Sequence, residues 1–303
     1  MPPGVKTLAA VAAAAAMVGA AIVGRNALDT KTERDDLRLT VVCDPLAEAF
    51  CRAAAAADDR LTIKVESPEV TTKRLTELNP DERPDFQAWV SVGPWLQMAD
   101  GRRGGQAPLS PGVMAVASSP LVLVTRLGQK IECGKPVSAC LPLPRNRVGL
   151  PSPRTNGVGL AGLAQIVLAR TGITAAEFDR STIESGEGAA TIDALVRAND
   201  PRELGQQVAA TFSFANPVVT VRAATTSVAS RVAIIPGDPP LRAVLQVGLL
   251  DAAARMPLSG GEPAGQAMAK AAIDAGWDQP GDPSGGLPDP GVLAALQDAW
   301  PGS

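Results

Sequence analysis

The stretch VGLPSPRTNGVGLAGLAQIV, residues 148–167, decides how this chain is read. Residues 148–150 are strand-like, Pro151, Pro153 and Asn156-Gly157 break the extended run, and the small residues that follow let a helix start close to whatever faces it. Ser152, Thr155 and Asn156, ahead of that helix, present hydroxyls and unpaired N–H groups to a cleft, an arrangement that holds an anion or a polar ligand group. The competing reading is a plain helix cap by Thr155 or Asn156.

Working outward, the chain from residue 37 alternates strands and helices. LRLTVV (37–42) is a strand, PLAEAFCRAAAAA (45–57) an Ala-rich helix, and RLTIKVE (60–66) a second strand with period-two alternation, which together make a βαβ unit. A helix near 70–78 leads to a third strand in PDFQAWVSV (84–92), then to a Pro-started helical turn at 94–98. Such alternation predicts an α/β protein with mostly parallel sheets, whose ligands collect at the carboxyl ends of strands. Ser91, Ser118 and Ser119 fall at those ends, so three hydroxyl-bearing loops are expected to converge on one edge. Each also has a bland reading, because Ser is common in loops and Ser-Pro starts turns.

Composition narrows the function. A 303-residue chain that is 46% hydrophobic holds one large or two ordinary domains, while a net charge of -3 and 3% aromatic residues argue against nucleic acid. At the N-terminus, Lys6 precedes an uncharged apolar run that Arg25 closes, so residues 1–25 are expected to be a signal peptide or a single membrane anchor, with 26–36 as a tether. Export to the cell envelope or beyond makes the four cysteines disulfide candidates. Three pairings are formally open, and the two local ones, Cys43–Cys51 and Cys133–Cys140, are expected; without histidine or a C-x-x-C pair, a metal site is not.

The order of RLTVVCDPLAEAF, PDFQAWVSVGPWLQMA, VMAVASSPLVLVTR and VGLPSPRTNGVGLAGLAQIV resembles the type II periplasmic or extracellular solute-binding proteins, the two-lobed class that includes molybdate- and phosphate-type binders. It is most similar to divergent actinobacterial-type modules often fused to von Willebrand factor A-type domains. The resemblance covers about residues 37–277. It implies a two-lobed periplasmic-binding-protein-like fold of type II, each lobe a mostly parallel sheet flanked by helices, joined by two hinge strands at 120–126 and 231–236. Lobe one is then 37–122 with 232–303, and lobe two is 123–231. It places ligand contacts at Ser91, Ser118 and Ser119 in lobe one and at Arg154, Thr155, Asn156 and Gly157 in lobe two, with Thr226 and Ser227 before the return hinge. Arg154 would neutralise an anion.

The chain departs from that pattern after the return hinge, where residues 237–256 hold no aromatic residue, and it has no tyrosine at all. Trp89, alternating in a strand, is expected in the core, and Trp95 at a cleft edge. Residues 263–280 read as a helix with Trp277 packing back, 281–291 as a turn-rich linker, and 291–300 as a short helix docked by Leu293, Leu296 and Trp300. Catalysis finds little support: there is no histidine, no G-x-S-x-G elbow and no S-x-x-K, Asp44 and Asp85 are not expected to share a site, and GRRGGQ (101–106) lacks the ending of a phosphate-binding loop. The expectation is a non-catalytic, cofactor-free exported protein that captures a small polar or anionic solute between lobes. Its expected partners are an ABC-transporter membrane component or a von Willebrand factor A-type protein, and the membrane if the N-terminal segment is uncleaved. The alternative is a cell-envelope interaction or scaffold module that keeps the fold without a transport ligand.

Overall fold

Strand β1 (Leu39–Cys43, LTVVC) is buried except for a half-buried Thr40, as its β-branched residues and central place in a sheet require. The computed structural model describes residues 38–79, 81–104, 109, 112–128, 148–198, 218–225, 232–281 and 285–301; the expected N-terminal targeting segment and tether and the expected Cys133–Cys140 pairing lie outside them. After β1, Asp44 caps one 3-10 turn that opens into α1 (Glu48–Ala57). A disulfide joins Cys43 to Cys51, so the expected bridge from strand end to helix is present. Strand β2 (Leu61–Val65) follows, then α2 (Pro68–Thr76), where Ser67 caps and Pro68 fits the first turn because its missing N–H is not needed there. Strand β3 (Ala88–Val92, AWVSV) is buried throughout, and α3 (Trp95–Arg102) begins three residues later.

One strand then spans the length of the fold. β4 (Gly112–Arg126) pairs through its first part with β7 (Arg242–Leu249) and through its second with β5 (Val218–Val221) and β6 (Val232–Pro236). The sheet order is β2-β1-β3-β7-β4-β5, with β6 also on β4. β1 and β3 pair in parallel, as expected of strands separated by helical crossovers, and Gly149 bridges Val218 in parallel. The registers of β7 with β3 and β4, and of β5 and β6 with β4, are antiparallel. The cause is the double crossing: β4 runs outward and β6–β7 run back beside it, and two adjacent strands that carry the chain in opposite senses must pair antiparallel.

Helix α4 (Gly157–Thr171) is buried from Gly157 through Leu168, which suits a helix that is apolar all round, and Gly172 ends it at φ 71°. Short α5 (Arg180–Glu184) and amphipathic α6 (Gly186–Ala198) follow. After β7 come α7 (Arg255–Leu258), α8 (Pro263–Asp274) and α9 (Pro290–Ala299). α8 packs on α1, and beside it the Trp277 ring meets Phe50 edge-on at 6.0 Å, as the expected packing back of that tryptophan requires. Leu293, Leu296 and Trp300 are buried, docking α9. Within the expected 281–291 linker, the Gly285 carbonyl accepts the Arg242 N–H of β7 at 2.9 Å. No helix among the described residues is long and apolar enough to cross a membrane.

Candidate ligand cleft

The carboxyl ends of β1 and β3 are laced together by one side chain. Asp44 is buried, its Oδ1 accepting the Leu46 N–H at 2.9 Å and its Oδ2 the Val92 N–H at 3.4 Å. Burial disfavours the charged form more than these two donors favour it, so the carboxyl is pushed up to about 6. Asp85 is exposed and pairs with Arg74, so the two aspartates share no site, as expected.

Just beyond, Gly93 adopts φ 106°, a conformation that disfavours any side chain, and turns the chain into α3. Trp95, expected at a cleft edge, is instead fully buried, and its indole N–H donates to the Val92 carbonyl at 2.8 Å. An indole at a strand-to-helix corner satisfies its N–H by reaching back to the strand end, which draws the ring inward. Trp89 is in the core, as expected.

Against this corner stands the start of α4. A Cβ built on Gly157 would lie 1.7 Å from the Val92 carbonyl oxygen and 3.3 Å from Trp95 Nε1, so glycine is what allows the helix to approach. Asn156 caps that helix: its Oδ1 accepts the N–H groups of Val158 at 2.9 Å and Gly159 at 3.1 Å. Thr155 is exposed, and its N–H bonds the Ser152 carbonyl. Arg154 sends Nε to Glu69 on α2 at 3.3 Å and Nη1 to the Trp300 carbonyl at 3.3 Å, while its own carbonyl accepts Gln297 Nε2 of α9 at 3.0 Å.

The serines serve three different neighbourhoods. Ser91 Oγ lies 3.4 Å from the Gly93 carbonyl, a long and weak bond. Ser118 pairs by register with Val244, whose carbonyl accepts the Gly93 N–H, so β3 and β4 do reach one edge at the same level. Ser118 and Ser119, however, point to opposite faces because successive strand residues alternate. Ser118 Oγ accepts Arg242 Nε at 3.0 Å and bonds the Gln279 carbonyl, whereas Ser119 Oγ accepts the Ala223 N–H at 3.1 Å. Thr226 and Ser227 lie outside the described residues.

The structure therefore brings Ser91, Arg154, Asn156 and Gly157 to one junction, leaves Thr155 at its rim, and sets Ser118 and Ser119 along the crossing strand. Sequence reasoning missed Gln297 and Glu69, which bear on this junction only through tertiary packing. Asp44 carried a signal that was legible as a cap, an Asp-Pro pair directly after a strand. Among the described residues, no group of three or more His, Cys, Asp or Glu is placed to hold a metal ion.

No protein-family model matches the sequence, and no curated protein does. Solved structures do. The periplasmic binding protein AfuA from Actinobacillus pleuropneumoniae, with exogenous fructose-6-phosphate bound, aligns at a TM-score of 0.52 and 11% identity over 87% of this chain and 95% of its own. The chain has the fold of the periplasmic solute-binding proteins. Two more agree: a periplasmic thiamin binding protein at TM-score 0.50 and 14% identity, over 80% of this chain and 82% of that one, and the periplasmic binding protein P5PA at 0.50 and 11%, over 84% and 87%. The type II α/β architecture expected from the resemblance is thus present.

Proposed function

We propose that the chain is an exported, non-catalytic solute-binding protein that captures a small polar or anionic solute where the β3–α3 corner faces the start of α4. The observation that carries this reading is the meeting of Val92-Gly93 with Asn156-Gly157, two chain turns from opposite sides of the β4 crossing. Lobe one is 37–122 with 232–303, lobe two is 123–231, and the hinges are the antiparallel β4 and β6. In the state described, the two turns touch, so a solute enters when they part. Parting exposes the Gly157 N–H, the Asn156 amide and the weakly held Ser91 hydroxyl, which donate hydrogen bonds without requiring a full countercharge, and Arg154, which supplies one. Thr155 closes the rim, and Ser118 and Ser119 set the hinge. Closure on the solute shifts the population toward the closed form. Delivery to an ABC-type membrane component, or association with a von Willebrand factor A-type protein, follows from this reading, as does attachment to the membrane through an uncleaved residues 1–25.

A second reading is favoured by the same contact. With Asp44 holding the Leu46 and Val92 N–H groups beside the junction, and Ser118 and Ser119 engaged by the protein itself along the crossing strand, the candidate contacts are partnered internally, which suits a cell-envelope interaction or scaffold module. Native mass spectrometry of the folded exported protein separates the two. A co-purified small solute supports capture, and a chain that stays empty across candidate oxyanions supports the scaffold.

A further inference from the structure

The C-terminal helix touches elements from both sides of the crossing. α9 packs against α3, and also against α4 and α5. On the α3 side, Arg102 Nη2 donates to Gln297 Oε1 at 2.8 Å, to the Ala294 carbonyl at 3.3 Å and to Asp298 at 2.6 Å. On the α4 side, Gln297 Nε2 donates to the Arg154 carbonyl, and Arg154 Nη1 donates to the Trp300 carbonyl. Gln297 is thus a buried amide used at both ends, its oxygen facing one side of the junction and its nitrogen the other. Arg154 adds a second reach to the same side as α9, through Glu69 of α2. Val92 and Gly157 are held in contact at the centre, while α9 ties the margin.

We propose that α9 is a strap that holds the cleft closed without solute, with Gln297 as its buried clasp and Arg154 as its half-exposed catch. The strap rests on the lobe assignment given above and regulates access to that same cleft. Packing alone would let the two turns part as a hinge. The clasp requires that the Gln297 bond to the Arg154 carbonyl and the Arg154 fork break in the same step, while Arg102 holds the other end of the Gln297 amide on lobe one, so opening is gated by the C-terminal helix. An isolated ion pair as exposed as Arg154–Glu69 contributes little by itself. The buried amide is the decisive part.

The test compares the full exported chain with Gln297→Met, which keeps the side-chain volume and removes both bonds, and with Arg154→Met, which keeps the stem. Arg52→Met, on an exposed face of α1, is the control. Amide hydrogen exchange without added solute is followed by mass spectrometry in peptides covering 91–98 and 152–162, with small-angle X-ray scattering alongside. The strap predicts roughly three- to ten-fold faster exchange in both peptides for Gln297→Met, the scale set by losing one or two hydrogen bonds, with β1 unchanged and a larger radius of gyration. Arg154→Met moves the same way by less. Unchanged exchange in both variants overturns the strap, as does acceleration spread evenly over the chain, which marks general destabilisation. If Gln297→Met does not fold, Arg154→Met decides alone. Because the readout needs no solute, a failed strap and an absent solute are separate results.

Discussion

Gly157 and Val92 meet so closely that a Cβ on the glycine would sit 1.7 Å from the valine carbonyl oxygen. The oxygen belongs to backbone and already accepts the Trp95 indole, so it has little freedom to yield. Gly157→Ala is therefore expected to force α4 away from the β3–α3 corner at about 1–3 kcal/mol, the usual cost of overpacking. A urea titration checks this; an unchanged midpoint would mean that the two turns are already apart in solution.

Asp44 links stability to pH. Its carboxyl titrates near 6 when folded and near 3.8 when exposed, so between those values the folded state binds more protons. Stability from this group is fully present below about 3.8 and is lost as pH rises through about 6, a change of order 3 kcal/mol. Asp44→Asn should flatten that segment of the stability profile. A slope in the wild type that persists in the variant would assign the titration elsewhere.

The Cys43–Cys51 bridge closes a short loop, with a sequence separation of 8, and its removal by a paired Cys→Ala change is expected to cost about 2–3 kcal/mol in the chain-entropy account. Thermal unfolding of the double variant reads this directly. A melting temperature equal to that of the parent would contradict it.

The hydroxyls divide by role. Ser119→Ala removes the bond from the Ala223 N–H and is expected to cost about 1 kcal/mol of stability, whereas Thr155→Ala, at an exposed position, is expected to stay within about 0.5 kcal/mol. If both sites take part in capture, each change also weakens solute binding several-fold by calorimetry. Unchanged affinity removes them from the cleft.

Much of this fold was legible in the sequence because the signals are local. The βαβ start, the Asn156 cap position and the α9 anchors Leu293, Leu296 and Trp300 follow from spacing, propensity and turn chemistry. β7 was missed: RAVLQVGL is buried from Ala243 to Leu249, and a fully buried strand shows no alternation that distinguishes it from a buried helix. The antiparallel registers follow from which way the chain recrosses, which no local window contains. Trp95 went astray for a related reason, since its partner, the Val92 carbonyl, becomes available only when the corner folds. At the junction, Asn156 and Gly157 were read from their own segment, while Gln297 is 141 positions from Asn156 and came only with the packing of α9.

The most direct test of solute capture is native mass spectrometry of the intact protein, followed by titration with sulfate, phosphate and a sugar phosphate while exchange is monitored at 91–98 and 152–162. Capture predicts one stoichiometric adduct, together with slower exchange in both segments. An empty protein whose exchange does not respond to any of the three would contradict the account and leave the scaffold reading.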